Sequence, residues 1–249
     1  MTGDDLALHL LPGVPETEVR AILDRAGGNE IASGKFASPE SSAALAVNGF
    51  GWFLNRAADL PAFPPLVDID WPAKQVDVER QMRFPWSGGR HPWLDGAVET
   101  PTHLIGVESK RFEPFRDAKT ARLSDAYDRD VWGDDMKRWC AMRDALRLNP
   151  PAFRFVDAAQ LVKHAFGLVT EGRRICKDPV LLYLYAEPTG GRAITQETFT
   201  RHREEIERFS QAVSGDEVRF AACSWREWLA CFEGSAKAHS ERVLQRFAP

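Results

Sequence analysis

Three residues in the middle of the chain, Asp95, Glu108 and Lys110, have side chains that could hydrolyse a phosphate ester with the help of a metal ion. Mg²⁺ prefers oxygen ligands, usually one or two carboxylates completed by water and substrate phosphate. The bound ion lowers the pKa of a water molecule and stabilises charge on a phosphoryl oxygen. A neighbouring lysine can hold the phosphate as a point charge or orient the attacking water. These residue types therefore fit phosphodiester hydrolysis, provided that the fold brings them together.

The chain around these residues predicts a β-hairpin. Strands are expected over residues 93–99 and 103–112, with a proline-containing turn between them. Because side chains alternate between the two faces of a strand, Glu108 and Lys110 should point the same way. Asp95 stands near the start of the first strand, where hairpin pairing could bring it close to Glu108. The alternative is an ordinary edge hairpin with a Glu–Lys pair in solvent.

Asp95 followed by Glu108-Ser109-Lys110 resembles the motif of the PD-(D/E)XK nuclease superfamily, whose fold is restriction-endonuclease-like. The whole stretch, with its ESKRFEPF run, looks most like the bacterial restriction endonucleases of that superfamily. The resemblance is strongest over residues 76–186. One departure is that Leu94 stands where the motif name has proline.

This resemblance implies a central mixed sheet flanked by helices and a metal-dependent nuclease acting on DNA. Asp95 and Glu108 would hold Mg²⁺, for which Mn²⁺ can substitute, and Lys110 would position water or the scissile phosphate. A homodimer would suit cleavage of both strands, although only fold-level analogy supports it. The alternatives are a non-catalytic nucleic-acid-binding or assembly protein on the same fold, and a hydrolase of small phosphate esters.

Four further residues are candidates for accessory roles. Glu40 follows Ser38-Pro39, which predicts a helix start, and related nucleases often place an acid on the helix before the sheet; a carboxylate at the helix dipole is the alternative. Glu79 lies on the polar face of a predicted strand, 75–84, which faces either solvent or the catalytic cleft. Gln160 and His164 are four apart on a predicted helix, so they share a face.

That Gln-x-x-x-His spacing is similar to the Gln-x-x-x-Tyr motif of the recombination-nuclease branch, in which a helix beside the sheet touches the substrate. Histidine in place of tyrosine is a departure from the motif. The alternative for Gln160 and His164 is a polar pair on an exposed helix face.

A basic segment follows the hairpin and is the predicted nucleic-acid contact. Cations there outnumber acids, and Phe112 and Phe115 lie nearby, which suits a phosphate backbone and stacked bases. A solvated surface segment is the alternative. The overall net charge of −4 gives no global attraction to nucleic acid, so a local patch must supply it. The cations of this patch are Arg111, Arg116, Lys119 and Arg122.

Length permits one large domain or two small ones, and the order of predicted helices and strands, which matches the core of the superfamily that the motif resembles, predicts a single α/β domain over residues 1–249. Its core spans about residues 38–186, and a strand with helices over 195–249 forms an extension. The four cysteines show no CxxC spacing, which favours reduced, mostly buried thiols in a cytoplasmic protein. No apolar run is long enough to cross a membrane. His202 and His239 have no ligand partner at a useful spacing, so both are predicted to lie on the surface.

Overall fold

A five-stranded mixed sheet, in the order β1-β2-β3-β4-β5, organises the protein. The computed structural model describes residues 3–26, 30–116, 123–189 and 193–249. The first three strands form an antiparallel meander. Strand β4 pairs parallel with β3, and β5 pairs parallel with β4. The strands are β1 (Gln75–Gln81), β2 (Trp93–Glu99), β3 (His103–Lys110), β4 (Asp178–Tyr185) and β5 (Arg219–Ser224).

Helices cover both faces of this sheet, which confirms the predicted α/β architecture. No helix among the described residues combines the length and the hydropathy that crossing a bilayer requires. The α-helices are α1 (Glu16–Arg25), α2 (Ser42–Gly51), α3 (Lys137–Leu148), α4 (Ala158–Ile175), α5 (Gln196–Val213), α6 (Trp225–Leu229) and α7 (Gly234–Phe247).

The alternation of side chains along β3 and β4 divides the core into two layers. Ile105 and Val107 pack with α1, α2, α6 and α7 on one face. Leu104 and Leu181 pack with α3, α4 and α5 on the other. After its first residue, β4 is buried throughout, as its continuously apolar sequence predicts for a central strand.

Several element boundaries differ from the predicted ones. Helix α2 begins at Ser42 rather than after Ser38, because the side chain of Ser41 accepts the N–H of Ala44 at 3.0 Å and caps the helix. Glu40 therefore lies in the turn before the helix. Strand β3 ends at Lys110, two residues earlier than predicted.

The prediction that His202 and His239 lie on the surface is wrong, because both are fully buried. His202 lies 3.1 Å from the hydroxyl of Tyr183, and His239 lies 2.9 Å from a backbone carbonyl of α2. The four cysteines are free, as predicted, but Cys176 and Cys231 are exposed rather than buried.

Candidate active site

Strand pairing brings Asp95 to the side of Glu108. The β2–β3 ladder pairs Gly96 with Val107, and its continuation sets Asp95 opposite Glu108. The backbone N–H of Ser109 donates a hydrogen bond of 2.6 Å to Oδ2 of Asp95. The two carboxylates predicted from sequence therefore meet at the same end of the hairpin.

Glu108 is held between two basic side chains. It is 1% exposed; Oε1 forms an ion pair with Lys110, and Oε2 lies 2.8 Å from Nε2 of His164. Burial raises the pKa of Glu108, but the charges of Lys110 and His164 outweigh burial and lower it to about 2. The carboxylate is therefore ionised throughout the neutral pH range.

The same cluster raises the pKa values of both Asp95 and Lys110, but for different reasons. Burial raises the pKa of Asp95 well above its usual range, and the charge of Glu108 raises it further, while Lys110 only partly offsets this. Burial lowers the pKa of Lys110, but the carboxylates of Glu108 and Asp95 raise it by more. Lys110 is thus a charged ammonium in the site.

Glu79 lies at a break in the sheet beside Asp95. The β1–β2 ladder pairs Val78 with Gly96 and then Arg80 with Leu94. Glu79 and Asp95 lie opposite each other between these two pairs, and the ladder does not include them. Glu79 adopts a left-handed φ of 50°, which is uncommon outside glycine and is often found at functional sites. Burial raises its pKa to about 7, with further contributions from Glu30 and Glu108.

An open cleft of about 470 Å³ lies over these residues. Glu108 does not line it, because its side chain is buried. Of the two interpretations of Glu79, the structure favours the one in which the residue faces the cleft. The lining residues include Glu40, Glu79, Asp95, Lys110, Arg116 and Gln160.

The Gln-x-x-x-His pair on α4 divides between two environments. Gln160 lines the cleft, but His164 is 2% exposed and faces Glu108. The alternative of an exposed polar pair is therefore wrong for His164, because helix α4 turns this side chain into the sheet. His164 lies at the back of the site, where it contacts a carboxylate.

The predicted basic patch is only partly placed for contact with a ligand. Arg111 is buried, and its guanidinium donates hydrogen bonds to the carbonyls of Pro39 and Phe247, which argues against a role in binding nucleic acid. Arg116 forms an ion pair with Glu40 at 2.8 Å and lines the cleft. Lys119 and Arg122 lie outside the described residues.

Sequence reasoning missed the loop between α3 and α4 as part of the site. Phe153, Arg154 and Phe155 line a small cavity of about 30 Å³ together with Lys110 and Tyr183. Its Phe-Arg-Phe sequence, between the double proline that stops α3 and the Asp157 cap, is the signal that could have identified this loop.

The donor atoms of the hairpin fit a hard divalent cation. Oε1 of Glu108 is buried and accepts no hydrogen bond of good geometry from the described residues, while the hydrogen bond from Ser109 goes to Oδ2 of Asp95. Within the described ranges no three His, Cys, Asp or Glu side chains form a group that could hold a metal ion by themselves. Two carboxylates completed by water and substrate phosphate match Mg²⁺ rather than a protein-enclosed metal such as structural zinc.

Comparison with known proteins gives one family match. The model of a family described as "Restriction Endonuclease associating with ARP" matches residues 5–248. No curated protein and no solved structure matches the chain. The match includes the hairpin, both helical layers and the C-terminal strand.

Proposed function

Since the chain belongs to the family of restriction endonucleases associating with ARP, we propose that it is a metal-dependent nuclease that hydrolyses phosphodiester bonds in DNA. The observation that carries this proposal is the meeting of Asp95, Glu108 and Lys110 at one end of the β2–β3 hairpin, beneath an open cleft.

Asp95 and Glu108 would hold Mg²⁺ or Mn²⁺ through their carboxylate oxygens. When bound, the ion would supply an acidic water and positive charge at the phosphoryl oxygens. Such an ion would also relieve the repulsion between the two carboxylates, which Lys110 offsets only in part.

The protein's own residues have separate roles in this proposal. Lys110 reaches the cleft as a charged ammonium and holds a phosphate oxygen or orients the attacking water. His164 contacts Glu108 from the buried side, so it positions that carboxylate and does not touch substrate. Gln160 lines the cleft one helical turn earlier and can hydrogen-bond the substrate.

A non-catalytic nucleic-acid-binding protein on the same fold is the second candidate, and one observation favours it. Both oxygens of Glu108 face a basic side chain, Lys110 or His164, and a metal ion must compete with these two partners. A protein of this kind would bind DNA equally well in EDTA.

Cutting both strands of a duplex would require two clefts, so for the nuclease we expect a homodimer on DNA.

The test is cleavage of circular and linear DNA by purified protein in Mg²⁺, Mn²⁺ or EDTA. We expect cleavage only with a metal ion, and at least about a hundredfold loss of rate in Glu108→Gln, which loses the charge of a metal ligand, and in Lys110→Ala, which loses the charge that holds the phosphate. Glu207→Gln and Lys237→Ala, which change exposed residues of the same types, are the matched controls. DNA binding without cleavage under all conditions would favour the second candidate.

A further inference from the structure

A group of arginine side chains stacks on phenylalanine rings beside the cleft. The guanidinium of Arg154 lies 5.2 Å from the ring centre of Phe155, and that of Arg201 lies 6.0 Å from the same ring. Arg208 lies 4.5 Å from the ring centre of Phe153. Stacking fixes the plane of a guanidinium while its N–H edge stays available to a ligand.

The loop that carries these rings is anchored to helix α5. The carboxylate of Glu205 accepts the backbone N–H groups of Arg154, Phe155 and Val156 at distances of 2.7 to 3.1 Å. Arg208 donates a hydrogen bond of 2.7 Å to the carbonyl of Ala152. The loop is therefore presented on a rigid element, and Glu205 is committed to holding it.

This surface continues into the candidate active site. Arg154 donates a hydrogen bond of 2.8 Å to the carbonyl of Arg116, whose own side chain lines the cleft. Arg154 and Phe155 also line the small cavity that contains Lys110. A chain of phosphates leaving the cleft on this side would pass over the stacked arginines.

The charges on this surface are available to a ligand. Arg154, Arg201 and Arg208 are all exposed, and within the described part of the chain Arg154 and Arg201 have no carboxylate partner. Arg208 lies 3.9 Å from Glu205, which is already occupied by the loop backbone. In a chain with a net charge of −4, these exposed arginines provide local positive charge that can attract a negatively charged partner.

We propose that this surface, formed by Phe153, Arg154, Phe155, Arg201 and Arg208, binds the phosphate backbone of DNA where it leaves the cleft. The inference rests on the proposed function, since it names the contact surface of the same substrate. It differs from the patch predicted from sequence, because it is formed by the loop between α3 and α4 together with α5. Phosphate contacts of this kind position the substrate without reading its sequence.

The test is the affinity for a short fluorescent DNA duplex, measured by anisotropy in EDTA so that no cleavage occurs. Neutralising two phosphate contacts in Arg154→Gln/Arg201→Gln should make the slope of log affinity against log salt less steep by about 2. The matched control, Lys137→Gln/Arg138→Gln, removes the same charge at the N-terminus of α3, about 15 Å or more along the helix from the loop. This control should keep the wild-type slope.

Two further measurements separate the possible failures. Arg154→Lys/Arg201→Lys keeps the charges and should restore the slope, and thermal unfolding of each variant verifies that the fold is intact. A wild-type slope in a folded Arg154→Gln/Arg201→Gln variant would overturn this surface and leave the nuclease proposal standing. If the wild-type protein binds no DNA in EDTA and cleaves none with metal, both inferences fail together.

Discussion

Two carboxyl groups at the cleft have pKa values displaced in opposite directions. Burial raises the pKa of Glu108, but Lys110 and His164 bring it down to about 2, whereas burial raises that of Glu79 to about 7. Paired acids whose environments separate their pKa values are typical of acid–base sites. Glu108 is therefore suited to a permanent negative charge, and Glu79 to taking up or releasing a proton near neutral pH.

The raised pKa of Glu79 predicts a specific pH dependence of stability without metal. In the unfolded chain this carboxyl ionises near 4.5, while in the folded protein it keeps its proton up to about pH 7. The folded state therefore binds more protons across this window, and its stability falls as pH rises from about 4.5 to 7. The loss amounts to about 3 kcal/mol.

Glu79→Gln removes the titrating group, so we expect the variant to gain stability over wild type progressively across that pH window. Chemical denaturation in EDTA at a series of pH values measures the difference. Asp70→Asn, which changes an exposed acid, serves as the control and should parallel wild type. Parallel curves for wild type and Glu79→Gln would mean that Glu79 ionises normally in the folded protein.

Sequence alone could place Asp95, Glu108 and Lys110 together, because strand alternation and hairpin pairing are local rules. It could not predict that Arg111 is buried, because its partners are carbonyls at Pro39 and Phe247, far away along the chain. The contact of His164 with Glu108 could not be predicted either, since a helical pattern does not say which polar residue faces a buried carboxylate.

At the scale of elements, α2 depends on a close approach to α6. Two glycines of α2 lie at points where the helix packs tightly against its neighbours, and the neighbour of Gly49 is Trp225. A Cβ atom at Gly49 would lie 2.5 Å from the indole ring, and one at Gly51 would lie 3.0 Å from Val14. Such partners lie too far along the chain for helical periodicity to identify them.

Gly49→Ala is therefore expected to destabilise the protein by about 1 to 3 kcal/mol through overpacking. Helix propensity alone would give the opposite sign, with a gain of about 1 kcal/mol. Urea denaturation of wild type, Gly49→Ala, Trp225→Leu and the double variant measures the coupling between the two positions. A stabilised Gly49→Ala variant, or purely additive effects, would show that the contact with Trp225 does not limit this helix.

For the whole molecule, the C-terminal segment is more closely tied to the site than the predicted extension suggested. Strand β5 completes the sheet next to β4. The indole N–H of Trp225 donates a hydrogen bond of 3.2 Å to the hydroxyl of Ser109, between Glu108 and Lys110. The fold class followed from element patterns, whereas this support depends on contacts between residues more than a hundred positions apart, which no local pattern encodes.

The hairpin carboxylates are proposed to bind the metal ion, and metal-linked stability tests this without any substrate. A ligand that binds only the folded state stabilises it by RT ln(1 + [L]/Kd), which is about 1.4 kcal/mol at ten times the Kd. For a chain of this size, the gain corresponds to a rise in Tm of roughly 3–6 °C. Ca²⁺ should give a similar rise, because it also accepts carboxylate oxygens.

The decisive measurement is the Tm of wild type and of Asp95→Asn, each in EDTA and in Mg²⁺, with Glu207→Gln as the matched control for loss of an exposed charge. We predict that wild type and Glu207→Gln rise by several degrees with Mg²⁺. Asp95→Asn should lose most of this response, because one of the two oxygen donors has lost its charge. An identical Mg²⁺ response in wild type and Asp95→Asn would contradict the assignment of the hairpin carboxylates as the metal site.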